Sequence, residues 1–458
     1  MGGVGRDQVR SFPEAGASSG EGVCLMLDET ELGERCAAVM KDARQEWMRL
    51  RNLQRHIDGK VLRTWMPDGA DAEYKDLLNK SGGPWLGFSR DAIAQGCRIN
   101  GYANEDIWNR VWRANGMDGR QGVSTKEAVG LGKSYLMLLP ADGDQGVVMR
   151  PMSAHNTFAV YADPWDDFPE FVLYRVGATK QGPTFWNSQW YAFDSEGSYR
   201  FDGSPSTPQN LRPAPHGLDF APVVRISNSL ASEGEPQSSV EPGIPIYKRI
   251  VDATFALQMI QRYGAFPQKW GAGGTLGEVR VAIDSLIHAP GEAGETVRFG
   301  TFEAADPTKM VAALEAHVKH LAAVLQVPPH YLLGAVVNMS AEGIAAAESG
   351  YHRNIGDRRD ALGEGYELAL RTGARILGES AAASALTDQV SWANVQSWSL
   401  AQVSDAISKL DAVGADLGRL FQMLPGWSRQ DALESAGSAK DKKMLEIAAS
   451  SSSQPARR

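Results

Sequence analysis

Two strongly periodic helical segments, separated by an insert rich in Gly and Pro, constrain this chain more than any other feature. In each segment large apolar residues recur at alternating steps of three and four over about 20 residues. Such spacing predicts a helix about 30 Å long with one apolar stripe, suited to packing against nearly parallel neighbours. The large stripe residues are Ile246, Ile250, Leu257 and Ile260 in the first segment, where Ala253 completes the alternating steps, and Val311, Leu314, Val318, Leu321 and Leu325 in the second.

The insert between the two helices covers residues 265–305 and begins with the run AFPQKWGAGG. The simplest geometry for the whole passage is a two-helix arm that carries a small mixed tip. Pro328 and Pro329 must end the second helix, because neither can donate a backbone hydrogen bond. Ser340 can then cap a long helix that runs to about Glu379.

The rest of the chain changes between helical and strand patterns. Residues 28–62 have helical spacing, whereas residues 133–228 contain short runs of β-branched and aromatic residues separated by turn signals. Helical patterns return at 400–413 and 417–424, and the polar segment after Gly437 is predicted to be loose. With 458 residues the chain has room for about three domains, and we expect a mixed α/β (α+β) fold.

The acidic net charge limits the partners of this chain. It has 46 Lys and Arg against 55 Asp and Glu, a net charge of −9, which excludes a generally basic nucleic-acid binder. Within residues 28–62, basic side chains are interleaved with acids, and this pattern fits either a nucleic-acid face or a solvated helix surface; we favour the solvated surface. The basic residues are Lys41, Arg44, Arg49, Arg51 and Arg55.

Three further sequence patterns indicate the cellular compartment of this chain. No stretch approaches eighteen consecutive apolar residues, so no membrane span is expected. The first residues lack the apolar middle of a signal peptide and resemble a flexible Gly/Ser-rich leader. Cys24, Cys36 and Cys97 are widely spaced and fit a reducing compartment. We therefore expect a soluble protein that is made in the cytoplasm.

The best match to a catalytic motif is the run Gly130–Ser134, GLGKS, which looks like the end of a phosphate-binding loop. Such a loop needs a glycine where this chain has Glu127, and it should open a helix, whereas Lys133 leads into a strand-like run. His317 and His320 lie three apart on one helix, but a zinc site needs further ligands. We therefore predict no catalytic residue, no metal, no cofactor and no enzymatic activity.

Four passages, in their order along the chain, resemble those of a known family. YADPWDDFPEFVLYRV looks like a strand pair after a Y-x-D-P turn, and FAPVVRISNSLASEGEPQSSVEPGIPIYKRIVDATF looks like a passage into a first stem helix. VLQVPPHYLLG with NMSAEGIAAAES is similar to a P-P-H-x-L-G and S-A-E-A signature, and VSWANVQSWSLAQVSDAISKLDAVGADL to a closing helix. The chain thereby resembles, over about residues 30–433, the portal (head-to-tail connector) proteins of tailed bacteriophages, in the long-tailed branch with Gram-positive hosts.

The resemblance implies a portal-type subunit with an α/β wing, a two-helix stem, a small clip insert, a long wing helix and a helical crown. Its segments would be a flexible leader (1–27), the wing (28–243), the stem helices (244–264 and 306–327), the clip (265–305), a channel loop (328–342), the long wing helix (343–380), the crown (381–433) and a loose tail (434–458).

The same resemblance implies a ring of about twelve copies at one capsid vertex of a virion, assembled in the host cytoplasm. The ring would be a passive channel for DNA packaging and ejection, and the stem stripes would be buried largely between subunits. Twelve copies would carry a charge of about −108, which favours sliding of DNA over adhesion. The residues that would line the channel loop are Leu332, Leu333, Val336, Val337, Asn338 and Met339.

The partners implied by the resemblance are other copies of the chain, non-specifically contacted double-stranded DNA, the terminase large subunit, the major capsid and scaffold proteins, and head-completion or adaptor proteins. No membrane is among them. Two other interpretations stay open: a non-portal structural adaptor of a virion, and a hydrolase whose dispersed acids and histidines the sequence does not assemble. Particle mass separates these interpretations, because a ring of twelve 49.5-kDa chains would have a mass of about 594 kDa.

Overall fold

The structure is a computed structural model that describes residues 26–60, 72–141, 146–176, 188–264, 269–272, 298–301, 306–334, 341–394, 400–422, 424, 427 and 429–452. The chain divides into two compact units. Unit 1 comprises Met1–Gln54, Arg90–Glu241 and Glu348–Arg458, and unit 2 comprises Arg55–Ser89 and Pro242–Ala347.

Helices and strands are numbered along the chain. The described helices are α1 (Glu29–Asp42), α2 (Arg44–Ile57), α3 (Ala72–Lys80), α4 (Trp85–Gly96), α5 (Glu105–Ile107), α6 (Met117–Leu131), α7 (Ile244–Gly264), α8 (Pro307–Val324), α9 (Pro329–Leu333), α10 (Ala341–Ile376), α11 (Ser380–Ala383), α12 (Leu400–Ala412), α13 (Leu417–Phe421) and α14 (Arg429–Ser452). The described strands are β1 (Ile99–Tyr102), β2 (Lys133–Pro140), β3 (Val147–Met152), β4 (Thr157–Val160), β5 (Phe171–Arg175), β6 (Ser188–Phe193), β7 (Ser198–Ser204), β8 (Thr207–Ala214), β9 (Val223–Ser227), β10 (Lys269–Ala272), β11 (Arg298–Thr301) and β12 (Val390–Trp392).

The larger sheet of unit 1 is an antiparallel meander of five strands in the order β4-β5-β6-β7-β8. Helix α1 begins with a capping box, in which the Asp28 carboxylate accepts hydrogen bonds from the backbone of Thr30 and Glu31. One face of α1 packs on the sheet, because its apolar residues follow helical spacing and those of the strands alternate. The buried residues of this core are Leu32, Cys36, Val39, Phe158, Phe171, Leu173, Trp190, Ala192, Tyr199 and Phe201.

A smaller sheet of unit 1 has the order β3-β2-β9 and packs against α6. Just before α6, the π-helical stretch Trp108–Arg113 buries two stacked indoles, those of Trp108 and Trp112, with ring centroids 4.8 Å apart. Tyr366, on the long helix α10, meets Trp112 edge to face at 5.6 Å and shares a 2.8 Å hydrogen bond with Thr125 of α6. One aromatic cluster therefore joins the π-helical stretch, α6 and α10 within unit 1.

Unit 1 also contains the part of α10 from residue 348 onward and the C-terminal helices. Tyr351 donates a 2.6 Å hydrogen bond from its hydroxyl to the Ala92 carbonyl, and Arg359 donates to the Gly96 carbonyl. Strand β12 pairs antiparallel with β1, and α13 packs on α14. These contacts tie the C-terminal region to the rest of unit 1.

The prediction of a mixed helix-and-sheet fold is confirmed. Three details differ from the sequence-based expectation. The helical segment 28–62 is two helices that meet at Ala43, and residues 55–89 lie in the unit that contains α7 and α8 although the expected wing covers 28–243. Helix α14 runs to Ser452, where a loose tail is expected from residue 434, because buried Ala432 and Ala436 anchor it.

Candidate functional site

Helices α7 and α8 form an antiparallel pair in unit 2, here called the stem pair. Between them β10 and β11 pair in antiparallel register, with Lys269 opposite Thr301, so the chain reverses direction. At the other end, a Cβ atom on Gly243, just before α7, would lie 2.9 Å from Leu321 Cδ1 and 3.0 Å from Leu325 Cδ2. The stem pair therefore has a base at Gly243 and Leu325 and a tip at the two short strands.

Parts of the expected clip and leader lie outside the described residues. These are residues 265–268, 273–297 and 302–305 of the clip and residues 1–25 of the leader. Strands β10 and β11 are the described part of this insert, and its assignment as a clip stays a prediction. Helix α8 begins sharply after this tip, because the Asp306 carboxylate accepts a 2.9 Å hydrogen bond from the Thr308 amide and Pro307 occupies the first helical position.

The apolar stripes of the stem pair are buried to different degrees along its length. Near the base the two helices cover each other, and the buried stripe residues are Ile250, Val318, Leu321 and Leu325, each no more than 3% exposed. Ile246, at the start of α7, is half-buried. Toward the tip Leu257, Ile260 and Leu314 are half-buried, and Val311 is 41% exposed.

This difference in burial separates each stripe into a base half and a tip half with different roles. Burial of the base residues is already supplied within one chain, since the two helices of the pair cover them. The tip half keeps apolar surface that its own chain leaves uncovered among the described residues. Burial of the stripes between copies therefore stays a prediction for the tip half, and the base half serves the fold of the single chain.

The channel-loop residues divide between described and undescribed positions. Leu332 is 9% exposed and Leu333 half-buried in the one-turn helix α9, which follows Pro328 and packs on α8. Gly334 then takes a left-handed conformation with φ of 67°, which ends the turn without the strain that a Cβ would add. Val336, Val337, Asn338 and Met339 lie outside the described residues.

The GLGKS run does not form a phosphate-binding loop. Lys133 opens strand β2, as predicted, and its ammonium lies 3.2 Å from the Glu46 carboxylate. The Glu127 carboxylate accepts hydrogen bonds of 2.5 Å from Ser153 Oγ and 3.0 Å from the Ala154 amide. The run therefore lies at the C-terminal end of α6, whereas a phosphate needs the free amides at the start of a helix.

His317 and His320 do not assemble a metal centre in the described part of the chain. His317 is half-buried and His320 is exposed on α8. Among the described residues no group of three or more His, Cys, Asp and Glu side chains could hold a metal ion. In the same residues no helix combines the length and the apolar character that crossing a membrane requires.

Glu127 predicts a pH-dependent stability. Burial raises the pKa of its carboxyl to about 7, although the hydrogen bonds from Ser153 and Ala154 lower it. The unfolded chain releases this proton near pH 4.5, so the wild type loses stability as the pH rises from about 4.5 to 7. Glu127→Gln keeps an oxygen that accepts both hydrogen bonds. Because the amide does not ionise, the variant should not lose stability as the pH rises. The free energy of unfolding of the variant should exceed that of the wild type by an amount that grows to about 2 to 3 kcal/mol as the pH rises from 4.5 to 7. Above pH 7 the difference should stay constant.

Urea unfolding at pH 4.5, 6 and 7.5 measures this gain. The matched control is Glu34→Gln, at an exposed glutamate of α1, which should change the free energy of unfolding by less than about 0.5 kcal/mol at each pH. A difference between Glu127→Gln and the wild type that does not change with pH would contradict the assignment of a protonated, buried carboxyl.

Unit 1 contains a cleft that the sequence does not signal. It has a volume of about 750 Å³ and is lined by three separate segments, 165–167, 225–230 and 359–392. Its walls include the exposed side chains of Trp165 and Leu386 as well as several carboxylates. Because the walls come from distant parts of the chain, no local motif could have indicated the cleft.

Comparison with known proteins adds sequence relatives to this geometry. No family model matches the chain. The chain is 25% identical over 369 residues to the portal protein of Mycobacterium phage L5, covering 74% of each chain. It is 24% identical over 355 residues to the portal protein of Mycobacterium phage D29, covering 70% of each chain.

Solved structures with a similar chain include those of gene transfer agent (GTA) particles. They are the virion of a native particle (TM-score 0.47, 16% identity) and the necks of an empty particle solved with C6 symmetry (0.46, 15%) and of a native particle solved with C12 symmetry (0.47, 15%). These matches cover 79–83% of this chain and 96–99% of the matched chains. The two sequence relatives confirm the resemblance that the four motifs indicate: this chain is similar, over about three quarters of its length, to the portal proteins of long-tailed phages with Gram-positive hosts.

Proposed function

We propose that this chain is the portal subunit of a tailed phage and that its copies close into a ring at one capsid vertex. The observation that carries the proposal is the similarity to two mycobacteriophage portal proteins over about three quarters of each chain. The ring would be a passive conduit for double-stranded DNA during packaging and ejection. The chain would have a structural role without catalytic activity.

The stem pair supports a ring of copies packed side by side. Its tip half has apolar residues that a single chain leaves half-buried or exposed, among them Leu257 and Val311. Helix α8 also presents small exposed side chains, Ala312, Ala316 and Ala323, which allow another helix to approach closely. Such a surface can pack on a different surface of the next copy. Repeated contacts of this kind close a ring of n copies when each copy is rotated by one n-th of a full turn from the one before.

The charge supports a conduit that does not hold DNA. Each chain has a net charge of −9, and a ring of such chains repels the phosphates of a duplex. Tight phosphate contacts would release counterions and make DNA adhere to the channel. The segment 328–342 would narrow this channel with small and aliphatic side chains, which touch DNA without forming ion pairs.

The proposed partners follow from the same role. They are the terminase large subunit, which docks at the clip, the major capsid and scaffold proteins around the vertex, and head-completion or adaptor proteins after packaging. Assembly would take place in the host cytoplasm, and the finished ring would be part of the virion.

Light scattering of the purified chain tests the proposal. A ring of twelve 49.5-kDa chains would have a mass of about 594 kDa. A chain that stays at 49.5 kDa at high concentration, both alone and with its scaffold protein, would instead favour a monomeric adaptor.

A further inference from the structure

An exposed basic stripe lies on helix α2 in unit 1. Arg44, Met48 and Arg51 follow one another at steps of four and three, so they lie on the same face of the helix. All three are exposed, and the Met48 side chain is 49% exposed. The opposite face is held in place, because Leu50 and Leu53 are buried, and Trp47 beside the stripe packs on the core of the five-stranded sheet. The stripe is therefore fixed in position and available to a partner.

Few acids neutralise this stripe. Arg44 has no ion pair within the described residues, and the Arg51 guanidinium lies 5.2 Å from the centre of the Trp47 ring. The neighbouring Glu46 carboxylate is already engaged by Arg49 at 2.8 Å and by Lys133 at 3.2 Å. The stripe therefore combines two available positive charges with one central apolar side chain.

The cleft of unit 1 has the opposite charge. Five carboxylates and three arginines line it. The arginines Arg225 and Arg359 already donate to backbone carbonyls, those of Pro164 and Gly96, and each lies over an aromatic ring. Arg371 adds a third positive charge beside Glu367. The lining is thus net negative, and two of its three cations are fixed in place by the chain itself.

Three carboxylates of this cleft have no partner in the described part of the chain. Asp167 follows the turn after β4, and Asp360 and Glu364 lie four residues apart on α10, about 6 Å along the helix axis. All three are exposed, and beside them Trp165 is 59% and Leu386 77% exposed. The cleft therefore offers unpaired acids around exposed apolar side chains.

We propose that the Arg44–Met48–Arg51 stripe of one copy docks into this acidic cleft of the next copy, with the arginines beside Asp360 and Glu364 and Met48 among the apolar side chains. The inference rests on the proposed ring and adds a specific contact to it. In a heterologous contact, one surface of a copy packs on a different surface of the next copy. The stripe and the cleft have opposite charge, so they can form such a contact and fix how neighbouring copies are aligned. A duplex would fit the basic stripe but not the acidic cleft, so DNA binding leaves the cleft unexplained.

Charge reversal and its rescue test the contact. Arg44→Glu with Arg51→Glu, and separately Asp360→Lys with Glu364→Lys, should each raise the chain concentration for half-assembly about ten-fold at low salt. The chain with all four substitutions should assemble close to the wild-type concentration, because the charges are exchanged. Light scattering over a concentration series gives the result. The matched control is Arg113→Glu with Arg120→Glu, two exposed arginines elsewhere in unit 1, which should assemble as the wild type does.

Other outcomes would overturn the inference. If the chain with all four substitutions unfolds at the wild-type temperature and still does not assemble at the wild-type concentration, the two surfaces do not meet. Rings of unchanged stability from Arg44→Glu with Arg51→Glu that lose affinity for duplex DNA would make the stripe a nucleic-acid face. If all variants assemble as the wild type does, the inference fails and the proposed function stands. If the wild type forms no ring at any concentration, either alone or with its scaffold protein, both fail.

Discussion

Leu257→Asp should leave the chain folded and abolish the ring. Leu257 lies in the tip half of α7 and is only half-buried in the single chain, so an aspartate there can stay hydrated before assembly. In a ring the same carboxylate would be buried in an apolar seam without a partner, at a cost of several kcal/mol at each contact. Light scattering should therefore find particles near the 49.5-kDa mass of one chain.

A control separates the seam from a general effect of added charge. Val413 is 79% exposed after α12, and Val413→Asp should assemble as the wild type does. The thermal unfolding of Leu257→Asp should resemble that of the dissociated wild-type chain. Normal rings from Leu257→Asp would mean that the tip half of the first stripe is not an interface between copies.

Leu321→Ala should destabilise the stem pair itself rather than the contact between copies. Leu321 is fully buried at the base, where its side chain lies close to Gly243. Removing it leaves a cavity that α7 and α8 cannot fully close, and the expected cost is about 3 kcal/mol. That cost corresponds to about a hundred-fold faster exchange of the protected amides in these helices. Hydrogen exchange of α7 and α8 gives a direct measurement for unit 2.

Val324 supplies the comparison on the same helix. Its side chain is 48% exposed, so Val324→Ala should change the exchange rates less than about three-fold. Equal effects of Leu321→Ala and Val324→Ala would show that the base of the stem pair is not packed within one chain.

The periodic parts of this fold could be predicted from the sequence for a physical reason. In α7 and α8 one side packs and the other is solvated near the base, and the apolar residues repeat with the turn of the helix. In strand β7, buried Tyr199 and Phe201 alternate with half-buried Arg200 and exposed Asp202. Where only one side of a helix or strand is buried, apolar and polar residues alternate along the sequence with the period of that element.

Helix α6 has a weaker signal because the middle of its buried face is polar, between apolar Met117 and Ala128. Gln121 bonds both the amide and the carbonyl of Ile99, Ser124 bonds Ser134, and Thr125 bonds Tyr366. These polar residues are stable inside because each finds a partner from another part of the chain. Hydrophobic periodicity cannot detect a helix of this kind.

The candidate site was predictable only in outline. The stripes and their spacing follow from local sequence, but which half is covered by the same chain depends on how α7 and α8 meet at Gly243. The acidic cleft depends on segments more than a hundred residues apart, such as Asp167 and Asp360. Contacts of this range leave no pattern in a single sequence.

Electron microscopy of the full chain purified in solution tests the central claim most directly. A particle of about twelve copies around an open centre wide enough for duplex DNA, with the stem pairs side by side along it, is the predicted result. A compact particle of one copy, found both alone and with the scaffold protein, or a closed assembly without a central opening, would contradict it.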